Sequence, residues 1–250
     1  MQMPGTRKES SSITPGFTKY SKAGIKRRST VVFNGYEVYY TDELISKLGM
    51  KHLDIEKALE DIAVSTMEGL ADHPEWIGDP KQWADNHKIS PKTTRILVHH
   101  NSIVGYYFFL FLDKQYIDKF RNGSMTDSDI TSDMIIRPGR DGEYFCYFMD
   151  IAIMERHRIP GPSLLLDDFA KRIVAYTEAD IYISEICTVA FTNEGKRLCV
   201  RFLMETDENQ EIDEPVYSLK LLPFPQTGYL SENYKELKKR YDDYYSAHYG

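Results

Sequence analysis

The stretch Phe145–Leu166, FCYFMDIAIMERHRIPGPSLLL, predicts a buried strand, a basic turn and the start of an amphipathic helix. Its first part is an apolar run that is typical of a covered strand, and its last part opens a helical pattern around Pro-Gly-Pro. The first turn of a helix directs unpaired backbone N–H groups toward one point, where anions bind. We therefore predict an anion-binding turn between this strand and this helix.

The turn carries the spacing R-x-x-G-x-S, formed by Arg158, Gly161 and Ser163. Arginine supplies a fixed positive fork, and glycine lets a backbone approach a phosphate closely. In this spacing, and in the order of predicted elements from Arg95 to Phe224, the chain resembles the GCN5-related N-acetyltransferase (GNAT) superfamily. That family holds the pyrophosphate of acetyl-coenzyme A at this turn.

The resemblance implies that acetyl-CoA, or another acyl-CoA, is the co-substrate of this protein. The residues that it implies for binding the coenzyme are Ile153, Arg158, Ile159, Gly161, Ser163 and Asn193. Two prolines, Pro160 and Pro162, depart from the pattern, because proline has no N–H to offer a phosphate. A Pro-Gly-Pro turn at the start of a helix is also stable without a ligand, so the sequence leaves both interpretations open.

The resemblance further implies an α/β fold of the α+β kind, in which helices flank a mixed, mostly antiparallel central sheet. The residues themselves predict strands on both sides of a turn at Asn34-Gly35, and then at 96–100, 103–112, 181–189 and 216–224. They predict helices at 42–48, 54–70, 163–179, 193–202 and 231–249, with a short helix inside the loop 73–89. The apolar run Ile103–Leu112 indicates a strand that is covered on both faces.

The chain of 250 residues divides by composition into one main domain with two tails. We predict a disordered basic leader at 1–29, a single GNAT-like domain at 30–228 with an insertion at about 114–140, and a helical C-terminal tail at 229–250. The net charge of −7 argues against a general affinity for nucleic acid. Only the leader, rich in Lys and Arg, offers a surface for RNA, DNA or an acidic partner.

The three cysteines, Cys146, Cys187 and Cys199, lie far apart in apolar segments and predict free thiols in a reducing compartment. The first residues have no apolar core of a secretory signal, and the longest apolar run is shorter than the about 20 residues that span a bilayer. We therefore expect a cytoplasmic protein without a membrane partner. Its expected partner is a small-molecule or peptide amine acceptor, and a homodimer is left open.

Three residues are catalytic candidates for acyl transfer. Asp150 ends the strand before the turn, where the resemblance implies an acidic residue that faces the acceptor amine; a structural cap is the equally weighted alternative. Glu185 lies on the neighbouring strand, and its alternation with Ile183 and Cys187 leaves its facing direction open. Cys199 takes the place of the tyrosine that, in the family, gives a proton to the departing thiolate.

The sequence predicts no metal site. His99, His100 and His157 lack the spacing of zinc ligands. Asp127, Asp129 and Asp133 lack the glycine and the terminal glutamate of a calcium loop, which indicates a solvated acidic loop. These inferences predict an acyltransferase that moves an acetyl or longer acyl group directly from CoA to an amine. The alternatives are a GNAT-fold binding or regulatory protein without catalysis, and an acyltransferase that uses an acyl carrier protein.

Overall fold

The computed structural model describes residues 33–67, 80–139, 141–190, 192–202, 204–206 and 215–250. The predicted leader lies outside these residues. The strands are β1 (Tyr36–Tyr40), β2 (Thr94–His99), β3 (Ser102–Leu112), β4 (Gly142–Ile153), β5 (Ile181–Val189), β6 (Glu205–Thr206) and β7 (Val216–Lys220). The helices are α1 (Thr41–Leu48), α2 (His52–Thr66), α3 (Pro80–Ile89), α4 (Lys114–Arg121), α5 (Gly161–Thr177), α6 (Asn193–Arg201), α7 (Tyr229–Asn233) and α8 (Lys235–Tyr249).

The described strands form one sheet in the order β1-β2-β3-β4-β5-β7-β6. Neighbouring strands are antiparallel at every described pair except β4 and β5, which run parallel. A parallel pair needs a crossover connection, and α5 supplies it. The predicted fold class, a mixed and mostly antiparallel sheet flanked by helices, is confirmed.

The helices lie on both faces of the sheet. On one face α5 and α8 share a core with alternate residues of β3, among them Tyr107, Phe109 and Phe111. On the other face the intervening β3 residues Tyr106 and Phe108 pack in cores that include α2 and α4. Every residue of β3 from Val104 onward is buried, as the apolar run predicts.

Two glycines bring β3, β4 and the start of α5 into close contact. A Cβ atom on Gly105 would lie 2.9 Å from the Ala152 carbonyl oxygen, and one on Gly161 would lie 2.9 Å from the Ile153 Cγ2 atom. The backbones of both glycines therefore contact Ile153, the last residue of β4. Gly161 is required at this position by packing, whatever the turn binds.

The ends of several predicted elements differ from the structure, and for three of them the sequence supplies the physical reason. The last strand ends at Lys220 instead of 224, just before Pro223, which cannot donate to a ladder. Helix α5 begins at Gly161, two residues earlier than predicted, since Pro162 is accommodated in a first helical turn. The predicted helix 231–249 is interrupted at Tyr234, whose φ of −128° is not helical and whose hydroxyl donates to Asp167.

Candidate functional site

A cavity of about 590 Å³ opens where the two parallel strands part. The pairing of β4 with β5 ends at Tyr147 and Cys187. Beyond that point residues 148–151 of β4 and 188–189 of β5 no longer pair with each other, and they line the cavity. Residues of α2 and α6 form further walls of the cavity. The cavity therefore begins where the pairing of the two parallel strands stops.

A bulge in β4 turns Asp150 into this cavity. In the ladder with β3, Phe108 is opposite Asp150 and Phe109 is opposite Phe148, so Met149 is an extra residue. A bulge inserts one residue and reverses the alternation of side chains beyond it. Met149 and Asp150 therefore both face the α2 side of the sheet, and both line the cavity.

The Asp150 carboxyl group is hydrogen-bonded to one phenol and lies near a second carboxyl group. The Tyr106 hydroxyl donates a hydrogen bond to Asp150 Oδ2. Burial raises the pKa of Asp150 to about 7; the nearby Asp127 adds to the rise, while the bond from Tyr106 opposes it. At neutral pH this carboxyl group is thus divided between its acid and its base forms.

A buried carboxylate–histidine pair lies in the same cavity. His87 Nδ1 and Glu56 Oε1 are 2.5 Å apart, and these side chains are only 3% and 4% exposed. Glu56 belongs to α2 and His87 to α3, two helices that pack against each other. Both residues line the cavity, and within the described ranges the His87 Nε2 atom has no hydrogen-bond partner.

The predicted anion-binding turn lies at the start of α5, next to the cavity. Ile151 lines the cavity, and Ile153, two residues further along the same strand, packs against Gly161. Two residues of a strand span about 7 Å. Arg158 is exposed, and Ile159 is 89% exposed, which is unusual for so large an apolar side chain.

No family model matches this sequence. No curated protein matches it significantly. Several solved structures do resemble it. A GNAT-family acetyltransferase from Listeria monocytogenes is 13% identical, with a TM-score of 0.46, over 77% of this chain and 99% of that chain. The PaiA N-acetyltransferase from Thermoplasma acidophilum, solved with coenzyme A, is 10% identical, with a TM-score of 0.46, over 74% and 98%. Naa50 from Arabidopsis thaliana, solved with the bisubstrate analogue CoA-Ac-MVNAL, is 14% identical, with a TM-score of 0.44, over 74% and 99%.

The sheet is mixed and mostly antiparallel, as the sequence resemblance implies, and the structure adds that its one described parallel pair, β4 and β5, is joined by the α5 crossover and parts at its ends. Asp150 lies on the cavity wall beside the parted strands.

Glu185, the second acidic candidate, lies away from the cavity lining. Ser184 is an extra residue in the ladder of β5 with β4, so Glu185 and Ile183 face opposite sides of the sheet. Glu185 is buried and forms an ion pair with Arg121 of α4, which also donates to Ser218 Oγ at 2.9 Å. Of the two predicted acids, only Asp150 thus lines the cavity.

Cys199 and Asn193 occupy different environments on α6. The Cys199 side chain lines the cavity, and burial raises the pKa of its thiol to about 12. Asn193 is exposed in the first turn, where Thr192 caps the helix by accepting a hydrogen bond from the Gly195 N–H at 3.0 Å. Thr192 and Gly195, rather than Asn193, line the cavity.

Glu56, His87 and Tyr106 are not among the residues predicted from the sequence, and the sequence predicts a solvated loop at Asp127. That prediction is wrong for Asp127, which lines the cavity and accepts a hydrogen bond from Tyr147 at 2.5 Å. The helical spacing of Glu56, Leu59 and Ala63 would have identified a carboxylate on the inward stripe of α2. No comparable signal marks His87, because only the packing of two helices brings it into the cavity.

His157 lies behind the predicted turn, where its Nδ1 atom is 2.8 Å from the Tyr36 hydroxyl.

In the part of the chain that the structure describes, no three His, Cys, Asp or Glu side chains converge as a metal site would require. Of the described helices, none has the length and apolar character needed to cross a membrane.

Proposed function

We propose that this protein is an acyltransferase that moves an acetyl or longer acyl group from acyl-CoA to an amine. The observation that carries the proposal is Asp150, a carboxyl group with a pKa of about 7 in a cavity between parted parallel strands. A perturbed titrating group inside a cavity is a typical feature of a catalytic centre. The GNAT-like fold agrees with this chemistry, although a fold alone does not fix a function.

Asp150 acts in this proposal as the base that prepares the acceptor. An amine is protonated near neutral pH and must lose a proton to attack a carbonyl carbon. A general base works best when its pKa is close to the working pH, and the pKa of Asp150 meets that condition. Tyr106, which donates to the carboxylate, fixes its orientation.

The reaction is a direct transfer. Asp150 takes the proton that the ammonium loses before attack and passes it to water. The neutral amine nitrogen then forms a bond to the acyl carbon, the carbon–sulfur bond breaks, and the proton of the attacking nitrogen passes, directly or through water, to the departing thiolate, which leaves as free CoA. Cys199 does not form an acyl intermediate, because a thiol with a pKa of about 12 contains almost no thiolate at neutral pH. The same pKa makes it a weak proton donor to a thiolate whose own pKa is about 8.5.

The turn before α5 fits the phosphates of the coenzyme. Arg158 is exposed and available for a charge-assisted contact, and the first helical turn leaves the N–H groups of Gly161 and Ser163 free of intrahelical acceptors. The positive end of the helix dipole adds to the attraction. The exposed Ile159 offers an apolar contact to the same ligand. Acyl-CoA would supply the activated thioester at the neighbouring cavity.

Calorimetric titration with CoA tests this assignment. We expect Arg158→Ala to weaken CoA binding by about 1.5–3 kcal/mol, the cost of losing a charge-assisted hydrogen bond. Arg137→Ala is the matched control, since Arg137 is an exposed arginine outside the turn and the cavity. Equal affinity of wild type and Arg158→Ala would contradict the assignment of the turn.

The same titration separates the alternatives. A wild-type protein that does not bind CoA but releases acyl chains from an acyl carrier protein would support the carrier-dependent enzyme. A protein that binds CoA and transfers no acyl group to any amine would support a binding or regulatory role. Release of free thiol from acetyl-CoA, measured with a panel of amines, distinguishes these outcomes.

A further inference from the structure

The charges that line the cavity are of one sign. Its walls carry four carboxyl groups, those of Glu56, Glu60, Asp127 and Asp150. Among the described lining residues there is no lysine or arginine, although the chain as a whole contains 31 of these residues. Such a cavity favours a cation over an anion, because an anion would meet only like charges at close range.

The buried Glu56–His87 pair points to where the cation is held. Glu56 Oε1 accepts a hydrogen bond from His87 Nδ1, and this bond selects the tautomer with its proton on Nδ1, in which Nε2 is an acceptor. The His87 ring lines the cavity, and its Nε2 atom is buried and has no partner within the described parts of the chain. A buried acceptor without a partner is costly, and a ligand N–H group would remove that cost.

This pair lies close to Asp150. The His87 ring packs edge-on against Phe108 with a centroid distance of 4.4 Å, and Phe108 is directly opposite Asp150 in the ladder of β3 with β4. Burial raises the pKa of Tyr106 well above its usual range, and both Asp150 and Glu56 add to that rise. The phenol is thus near both carboxyl groups. An amine bound at His87 would therefore be near the proposed base.

The remaining walls are apolar. They include Leu59 and Ala63 of α2, Trp83 of α3 and Phe120 at the end of α4. Trp83 and Phe108 pack edge to face at 6.1 Å and form an aromatic corner beside His87. A ligand that fills this space needs an apolar body, since a polar one would lose its hydration without gaining new hydrogen bonds.

We propose that the acceptor is a primary ammonium on an apolar body, held by its N–H groups at the His87–Glu56 pair. This inference rests on the proposed acyl transfer, and it narrows the acceptor from any amine to a hydrophobic cation. Glu56 and His87 position the acceptor, and Asp150 takes its proton.

Calorimetric titration of the full chain with four small probes tests the proposal without any turnover. The probes are 2-phenylethylamine, its neutral counterpart 2-phenylethanol, ethylamine, which lacks the apolar body, and the anion phenylacetate. We expect 2-phenylethylamine to bind at least about tenfold more tightly than 2-phenylethanol, since a charged hydrogen bond is lost in the alcohol. Ethylamine should bind more weakly, and phenylacetate should not bind. Equal binding of the amine and the alcohol would overturn the proposal.

Two variants locate the cation. Glu56→Gln keeps a hydrogen-bond acceptor for His87 and removes the charge, and His87→Gln removes the imidazole acceptor. Each should reduce the preference for the amine over the alcohol by about tenfold. Asp61→Asn, which changes an exposed carboxylate on the same helix, should leave the preference unchanged. A full preference in both folded cavity variants would place the cation elsewhere and overturn the assignment.

The failures of the two proposals are distinguishable. If the protein binds CoA and acylates amines without preferring apolar cations, the acceptor proposal fails and acyl transfer stands. If it selects 2-phenylethylamine but neither binds CoA nor releases thiol from acetyl-CoA, the acyl-transfer proposal fails and the cation site stands. Should a variant unfold, as a thermal melt would show, the wild-type probe series still decides the acceptor class.

Discussion

Two adjacent tyrosines on β3, Tyr106 and Tyr107, make the same contact on opposite faces of the sheet. Tyr107 donates to Asp168 Oδ2 at 2.7 Å on the α5 side, and Tyr106 donates to Asp150 on the α2 side. Neighbouring residues of a strand point to opposite faces, so the two tyrosine–aspartate pairs occupy separate environments. The two aspartates differ in whether a basic side chain accompanies the phenol.

Asp168 forms an ion pair with an arginine, and Asp150 has no such pair among the described residues. The Arg95 guanidinium, fully buried, holds Asp168 through two bonds of 2.8 Å, Nε to Oδ2 and Nη2 to Oδ1, and so ties β2 to α5. No lysine or arginine among the described residues pairs with Asp150, and its pKa rises to about 7. The comparison teaches that a carboxylate neutralised by a cation ties elements of the fold together, whereas an uncompensated one in a cavity titrates close to neutral pH, which is typical of groups that transfer protons.

Removing the cation from Asp168 should give the largest effect. Arg95→Met leaves a buried carboxylate with only a phenol, and we expect the free energy of unfolding to fall by about 3–5 kcal/mol. Urea denaturation measures the change. The double variant Arg95→Met, Asp168→Leu removes both charges and should recover part of the loss. A single variant as stable as wild type would show that Asp168 needs no cation, and the comparison would fail.

Removing the charge of Asp150 should act on catalysis instead. Asp150→Asn keeps the shape and an acceptor for Tyr106, and we expect turnover to fall by roughly 10²-fold, the scale of losing a general base. Binding of CoA should stay close to that of wild type, because the change does not touch the turn at Arg158. Steady-state kinetics with acetyl-CoA and a panel of amines measures the first effect, and titration measures the second.

The same variant should be more stable than wild type at high pH. The pKa of Asp150 rises from its ordinary 3.8 to about 7 on folding, so ionisation of this group opposes the folded state. Its favourable contribution is complete below pH 3.8 and is lost as the pH rises through about 7. Asp150→Asn should therefore gain about 2–4 kcal/mol over wild type at pH 8, and little at pH 4. A loss of stability at pH 8 would instead identify Asp150 as a structural cap.

Part of this arrangement could be predicted from the sequence. The long apolar run of β3 predicts a strand covered on both faces. The family resemblance, which rests on Arg158, Gly161 and Ser163 and on the order of predicted elements, implies the mixed sheet that is confirmed. These features depend on local composition and on the order of segments, which a single sequence contains. The roles of the turn residues and of Asp150 stay predictions.

The facing of the two acidic candidates could not be predicted, because it depends on bulges. The extra residues Met149 in β4 and Ser184 in β5 reverse the alternation just before Asp150 and Glu185. One bulge turns Asp150 to the cavity, and the other turns Glu185 to Arg121. The Glu56–His87 contact joins residues 31 positions apart through the packing of two helices, which no local pattern reveals.

The smallest predicted effect comes from removing one hydroxyl on each face. The bond from Tyr106 lowers the pKa of Asp150, so Tyr106→Phe should move the midpoint of the pH dependence of kcat/KM upward and reduce the rate at pH 6 by about tenfold. Tyr107→Phe is the matched control: it should cost about 1 kcal/mol of unfolding free energy and leave that midpoint in place. Kinetics from pH 5 to 9 and urea denaturation of both variants measure these effects. An equal shift of the midpoint in both variants would mean that the midpoint does not depend on the face of the sheet where Asp150 lies. It would contradict the assignment of Asp150 as the titrating base.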